Sequence, residues 1–371
     1  MQQKSIRFNN QHQPEFFAVL RGRVNQYFKD NKISKHANGN MVFKTIFMIA
    51  LYFTPLTLMI SGIVSGTVGV LAMWVLMGLG MAGIGLSIMH DANHGAYSRN
   101  KKVNKALGYL LNFIGGYPNN WIIQHNVLHH SFTNVDGYDE DIAKEGVMRF
   151  SPTQERKPFF RYQVFYAPFL YGLMTIYWLV SKDFEQLSRY KKKNLLKQQG
   201  IKYGNAVAEL IFNKIWYVGL FLVIPFMTIA QPWWVIVIGF LMMHFICGLS
   251  LALIFQPAHV ITETEFFEPN ESYTMENSWA IHQLKTTSNF ANNSKLFTWL
   301  IGGLNHQIEH HLFPNICHIH YPKISKIVKE TAEEYGIPYY HQPTFFNAVK
   351  SHFTLLRDLG TGAYDRKHAM N

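Results

Sequence analysis

Four apolar runs near bilayer length decide what this chain can fold into: Thr45 to Val64, Thr67 to Met89, Ile215 to Ala230 and Trp233 to Phe255. A spanning helix needs about 20 largely apolar residues, because the hydrocarbon core offers the backbone no partner outside the helix itself. The runs pair up across two short turns, Ser61 to Gly66 and Gln231-Pro232, which predicts two helical hairpins. A length of 371 residues would suffice for two soluble domains, but a composition 48% hydrophobic and only 15% charged points instead to one integral membrane domain over 1–371.

Cations give the hairpins a direction. Neither turn holds Lys or Arg, whereas the polar N-terminus and the stretch from Tyr97 to Tyr203 are rich in both, so both termini are expected in the cytoplasm. A further run, Val164 to Val180, is aromatic and slightly short of spanning. If it crossed, the histidine clusters described next would face opposite sides of the bilayer. It is therefore expected to lie flat in the interface, with Tyr162, Tyr166, Tyr171, Tyr177 and Trp178 at headgroup depth, and Ala106 to Gly116 is expected to do the same. No cleavable leader is expected, since the N-terminus is charged and the first apolar run is too long for one. Cys247 within the fourth run and Cys317 far along the chain predict no disulfide and a reducing compartment.

The net charge of +11 comes largely from the loops, with Lys191-Lys192-Lys193 the densest block. Such charge sets topology and attracts anionic headgroups, or it docks an acidic electron-carrier protein. No groove-reading motif accompanies it, which argues against nucleic acid. Residues 1–42 read as a cytoplasmic amphipathic segment, with Phe16, Phe17, Leu20, Val24, Tyr27 and Phe28 along one face of a surface helix. Residues 43–329 read as the core. Over 330–371 the chain reads as C-terminal helices: a stripe from Ile324 to Tyr335 closes at Gly336 and Pro338, and Thr344 caps a last helix toward Gly360.

Eight of the 18 histidines stand in three clusters: His90 and His94; His125, His129 and His130; His306, His310 and His311. On an α-helix residues four apart share a face, so His90 and His94 can reach one site, as can His125 and His129, while His130 points about 100° further round toward a second. The third cluster repeats the second in spacing, yet Gln307 shares a face with His310 and His311, so either His306 or Gln307 can take the last position. His259 follows the fourth run as His90 and His94 follow the second, and joins the candidate ligands. His12, His36, His341, His352 and His368 read as structural, and His244, midway along the fourth span, as hydrogen-bonded packing. Asp91, Asp136, Asp139, Glu140, Asp141 and Glu309 flank the clusters. Of these, Asp91, Asp139, Asp141 and Glu309 are candidates for orienting imidazole N–H groups.

Histidine without thiolate suits zinc, copper, iron or nickel. A closed structural zinc site uses only four ligands, and the chain has no His-Glu-x-x-His protease motif. Eight or more ligands instead fit two open, redox-active ions. The expected architecture is all-α: four transmembrane helices in two hairpins, interfacial helices, and a cytoplasmic helical cap that holds the histidines.

His-Asp-x-x-His at 90–94, His-x-x-x-His-His at 125–130 followed by Thr133-Asn134 and Asp139-Glu140-Asp141, and Gly302 to Pro314 with Gln-Ile-Glu-His-His at 307–311 together resemble the integral-membrane fatty acid desaturases. The similarity covers roughly Thr45 to Lys329. The Gln-Ile-Glu-His-His form resembles the front-end branch, which inserts a double bond between an existing one and the carboxyl end. The resemblance implies a di-iron centre, molecular oxygen, two electrons from a cytochrome b5 or ferredoxin donor, and an acyl-lipid or acyl-CoA substrate. Many front-end members carry a fused cytochrome b5 domain with a His-Pro-Gly-Gly motif. This chain shows none, so a separate donor is expected. The family usually has an apolar residue where this chain has His306.

Taking hydrogen from an unactivated methylene needs an oxidant that no amino-acid side chain provides. The protein's part is a narrow apolar channel holding one C–C bond at the metals. Trp121 is a candidate for its wall, and His282 and Gln283 for contacts to a headgroup or thioester. The same boxes serve membrane hydroxylases and ketolases, an alternative within the metal class. A heme-binding membrane electron-transfer protein is a rival from another class, disfavoured because its paired histidines would sit within facing spans.

Overall fold

The computed structural model describes residues 6–11, 13–143 and 146–368. Almost all regular structure is helical. Along the chain run α1 (Phe16–Asp30), α2 (Gly39–Ile60), α3 (Thr67–Asn93), α4 (Lys101–Gly108), α5 (Gln163–Gly172), α6 (Asp183–Lys192), α7 (Tyr203–Thr228) and α8 (Trp233–His259). They are followed by α9 (Trp279–Thr286), α10 (Gln307–Leu312), α11 (Tyr321–Glu334) and α12 (Phe345–Thr361). Short strands form two parallel pairs, Arg7–Phe8 with Thr274–Met275 and Ser288–Phe290 with Tyr340–Gln342.

The chain divides into two compact units, each described by itself. The first comprises Asn38–Ile123 and Phe169–Ala252. It carries the helices long and apolar enough to cross a membrane: α2, α3, α7 and α8. Asn38 starts α2 by accepting the Met41 N–H at 3.2 Å, which satisfies one of the donors a helix start leaves open. Helices in lipid are drawn together by close packing, and small residues permit it. A Cβ at Gly80 would stand 2.6 Å from the Tyr52 backbone nitrogen, and one at Gly248 would stand 2.7 Å from the Gly172 carbonyl oxygen, so both glycines are required by backbone contact. The two hairpin turns meet: Thr67 Oγ1 donates to Gln231 Oε1 at 2.8 Å, and the Gln231 amide donates to the Ser65 carbonyl. Both turns therefore lie at one end of this unit, and α3 and α8 run back together toward the other.

Three expected boundaries change. The third span begins at Tyr203, twelve residues before Ile215, and includes Lys214. The second and fourth extend to Asn93 and His259, so His90 and His259 lie on the helices themselves. The run at 164–180 folds as two helical stretches, Pro158–Gly172 and Met174–Lys192, that meet at 59°. His244 is wholly buried between Tyr217 Oη at 2.9 Å and Thr175 Oγ1 at 3.0 Å, the packing role expected of it. Both cysteines are free and buried.

The second unit comprises the described residues up to Ala37, then Gln124–Pro168 and the chain from Leu253 onward. Here the apolar stripe of α1 is packed while the opposite face of the helix stays exposed. Phe16, Leu20 and Val24 pack against Ile324, Val328 and Ala332 of α11 and against Ile308 and Leu312 of α10, so the stripe is core. Arg23 clamps the pair from outside, 2.6 Å from Glu334 and 3.0 Å from Thr331. Thr344 caps α12 as predicted, accepting the Asn347 N–H at 3.0 Å.

Candidate metal centre

His90 and His94 close α3 one turn apart, after a π-helical turn at Ile84–Ile88. Their rings stand 4.9 Å apart, and the Trp121 indole meets both edge-on at 5.5 and 5.7 Å. The first pair therefore shares a face, as its spacing predicts. Asp91 is buried beside it.

The second cluster follows a different rule. Ile122–His129 is a π-helix, in which hydrogen bonds join residues five apart. A step of five then also brings side chains together. His125 and His130 accordingly meet, Nε2 to Nε2 at 3.2 Å, and His310 of α10 brings its Nε2 to 2.9 Å from that of His130. His129, expected to share an ion with His125, keeps its ring stacked on that of His125 at 5.4 Å and forms a candidate group with it and Asp141; it also joins His259 and His311, one ring nitrogen of each lying within 4.8 Å of the others. Six imidazoles of this unit thus form two neighbouring sets.

Hydrogen-bond partners behind four of the rings, His129, His259, His310 and His311, set which nitrogen faces inward. His259 Nδ1 donates to the Thr286 carbonyl at 3.1 Å, leaving Nε2 as the lone-pair atom, and that atom is buried with no hydrogen bond. His311 Nδ1 donates to Gln283 Oε1 at 2.7 Å. His129 Nδ1 stands 3.1 Å from Asp139 and 3.4 Å from Asp141. Asp139 is itself held by the backbone N–H groups of Asn134 and Asp141, each at 2.9 Å. Burial opposes protonation of His129, but Asp139 and then Asp141 outweigh it and push its pKa up to about 9. A carboxylate behind an imidazole makes the far nitrogen a stronger donor to metal. In the second set, His310 Nδ1 lies 3.2 Å from Tyr321 Oη.

A cation accounts for this arrangement better than hydrogen bonds do. A neutral imidazole has one N–H and one lone pair, so three Nε2 atoms drawn together cannot all pair with one another. Two ligands bound at about 2.0–2.1 Å to one ion at right angles stand about 3 Å apart, which matches the spacing of His125, His130 and His310. The residues present fit a histidine-bound metal.

Gln307 and His306 separate in space. Both polar atoms of the Gln307 amide are buried without a hydrogen bond, and the amide neighbours His259. His306 instead accepts from Asn292 Nδ2 at 2.9 Å and lies 3.7 Å from Glu309. Glu309 departs from its expected role as a partner of ligand imidazoles: it accepts from Asn289 at 2.8 Å and Tyr339 at 2.9 Å. Asn289 also accepts the Ile308 N–H at 2.9 Å, so this buried ring of side chains pins the start of α10. His282 and Gln283, expected to meet a headgroup, are wholly buried. His282 Nε2 donates to the Thr133 carbonyl at 2.8 Å, and burial lowers its pKa to about 4, while Gln283 orients His311.

Sequence reasoning missed the supporting atoms: the Thr286 carbonyl, Tyr321, Asn289 and Tyr339. None carries a motif of its own. The Thr133-Asn134 pair was a signal: Thr133 lies 2.7 Å from the His129 carbonyl and 3.0 Å from Gln283, and Asn134 Nδ2 donates to the His259 carbonyl at 2.8 Å. Of the histidines read as structural, His352 donates from Nδ1 to the Val260 carbonyl at 2.7 Å. His12 lies outside the described residues.

Asp139→Asn is expected to lower metal affinity about 10–100-fold, the usual effect of losing an outer partner. Metal retained through graded chelation measures it, and retention equal to wild type would remove Asp139 from this role.

Long apolar helices with a buried imidazole cluster at the end of one of them define a membrane metalloenzyme of the histidine-box kind. The sequence model of the fatty acid desaturase family matches residues 66–343. The chain belongs to that family, in the branch its third box indicated, and is an oxidoreductase acting on acyl lipids. It is 35% identical over 349 residues to an sn-1 linoleoyl-lipid 6-desaturase of Synechocystis, covering 93% of this chain and 95% of that one. An acyl-lipid (8-3)-desaturase of Physcomitrium patens is 35% identical, with 93% and 72% covered. One from Mortierella alpina is 32% identical, with 93% and 78% covered.

Proposed function

We propose that this protein is an O2-dependent front-end acyl-lipid desaturase that places a cis double bond into an already unsaturated long chain, between the existing double bond and the carboxyl end. The observation that carries the reading is the inward lone pair of His259, fixed by the Thr286 carbonyl and set beside His129 and His311. Two irons would be held by His90, His94, His125, His129, His130, His259, His310 and His311, with Gln307 as the amide ligand. Bound iron supplies the reduction of O2 and the removal of hydrogen. In balance, the substrate loses two hydrogens from adjacent methylenes, and O2 takes these together with two electrons and two protons to give two waters. The electrons come from an acidic donor, a ferredoxin or cytochrome b5. The positive-inside distribution supports a cytoplasmic site and cytoplasmic termini.

The chain's own residues orient and exclude. Asp139, Gln283, Tyr321 and the Thr286 carbonyl hold the rings, and Trp121, against His90 and His94, walls the path of the acyl chain. The relatives named for linoleoyl lipid support an esterified 18-carbon substrate. The test is expression in a host without polyunsaturated lipids, fed linoleate, with new double bonds mapped by mass spectrometry. A hydroxylated product, or none despite bound iron and a supplied donor, counts against the proposal.

Gln307→Ala is expected to reduce iron content and activity, and His306→Ala to leave iron in place. Iron per protein, measured by plasma mass spectrometry, decides. Loss only from the His306 variant would reverse the assignment.

A further inference from the structure

The first unit carries a basic surface that neither the metal chemistry nor the fold requires. Lys191 and Lys192 end α6, and Lys193, Lys197 and Lys202 follow before α7 begins at Tyr203. All but the half-buried Lys193 are exposed. Among the described residues, no carboxylate forms an ion pair with any of the five. The acids nearest in sequence are engaged elsewhere: Asp183 is buried against Lys214 at 2.5 Å, and Glu185 accepts from Tyr177 Oη at 2.6 Å. Positive charge is therefore concentrated and uncompensated.

We propose that this surface binds the headgroups of anionic phospholipids. Depth supports a lipid over a soluble acidic protein. Twenty-six residues of α7 rise about 39 Å at about 1.5 Å per residue, against a hydrocarbon core of about 30 Å, so the ends of the helix stand in the headgroup layers. Ile211, Phe212 and Ile215, two to three turns below Tyr203, are 45–66% exposed, an apolar surface suited to acyl chains. On the adjoining stretch Tyr177, Val180 and Phe184 are 38–66% exposed. The lysines thus ring the level where an apolar surface gives way to water. Two aromatic contacts fit that level: Lys191 Nζ sits 4.1 Å above the Tyr203 ring and Lys182 Nζ 5.1 Å above Trp178, the mixed apolar and charged arrangement of an interface belt. A phosphate at this depth meets several ammonium groups in a low-dielectric boundary, each contributing to retention.

The test uses the full chain reconstituted from an equal mixture of anionic phosphatidylglycerol and zwitterionic phosphatidylcholine, then extracted in mild detergent. Mass spectrometry of the retained lipid gives the anionic enrichment. Wild-type protein is expected to enrich phosphatidylglycerol by about tenfold, and K191Q/K192Q/K197Q/K202Q to bring the ratio close to one. The corresponding four-arginine variant keeps the charge and the enrichment, which separates lipid binding from loss of fold. Equal enrichment in wild type and the glutamine variant overturns the proposal. So does unchanged enrichment with weakened electron transfer from an added acidic carrier, which would make the surface a protein-docking face.

Discussion

His259→Ala is expected to abolish desaturation and to release about half of the bound iron. His259 stands outside the three clusters that announce a metal site, yet its imidazole is held in one orientation. The Thr286 carbonyl holds the N–H on Nδ1, Nε2 is buried without a hydrogen bond, and the His129 and His311 rings lie 4.8 and 4.7 Å away. Alanine would remove the proposed ligand and leave a cavity open to water. Loss of an outer partner costs about 10–100-fold, so loss of the ligand is expected to exceed about a hundredfold. Plasma mass spectrometry for iron and gas chromatography of the acyl products measure the two effects, with the melting temperature as the control for folding. An alanine variant with full iron and normal turnover would exclude His259 from the centre. His352→Ala provides the contrast: that ring is equally buried but occupied by the Val260 carbonyl, and its loss is expected to lower stability without lowering iron per folded protein.

Spacing made the candidate ligands and their pairs legible, but not the sets those pairs join. The three clusters stand out because so many polar rings could not be buried beside apolar spans without a common partner. Their further grouping depends on helix type: nothing in Ile122 to His129 announces a π-helix, whose step of five brings His130 to His125 beside the stacked His125 and His129 rings that the step of four predicts. The α1 stripe was equally visible, but periodicity reports only that one face is apolar. Whether Phe16, Leu20 and Val24 meet lipid or α11 is decided by sequence some 300 residues away. Glu309 shows the same limit: an acid beside two ligand histidines reads as their partner, whereas its place on α10 turns it toward Asn289 and Tyr339. Local sequence specified which side chains carry chemistry, and long-range packing specified where each one points.

Lys214 is where hydropathy failed most clearly, and it carries the largest expected effect on stability. By hydropathy the charge bounds the apolar run at Ile215, yet the helix continues back to Tyr203 with Lys214 inside it. The amine has three hydrogens and three acceptors: the Gly115 carbonyl at 2.6 Å, the Trp178 carbonyl at 2.9 Å and Asp183 Oδ2 at 2.5 Å. Every donor is satisfied, which is the condition for keeping a charge out of water. Lys214→Met is therefore expected to destabilise by about 3–5 kcal/mol, because it strands a buried carboxylate and two carbonyls. The melting temperature in detergent should fall by roughly 5–15 °C. Asp183→Leu alone strands the ammonium and is expected to cost a similar amount. The double variant removes both charges and leaves only the two carbonyls unpaired, so it is expected to lose clearly less than the two single losses added together. Thermal unfolding of all four proteins gives the coupling. Strict additivity would mean that the two charges do not support each other, and that α7 and α6 are held together by apolar packing alone.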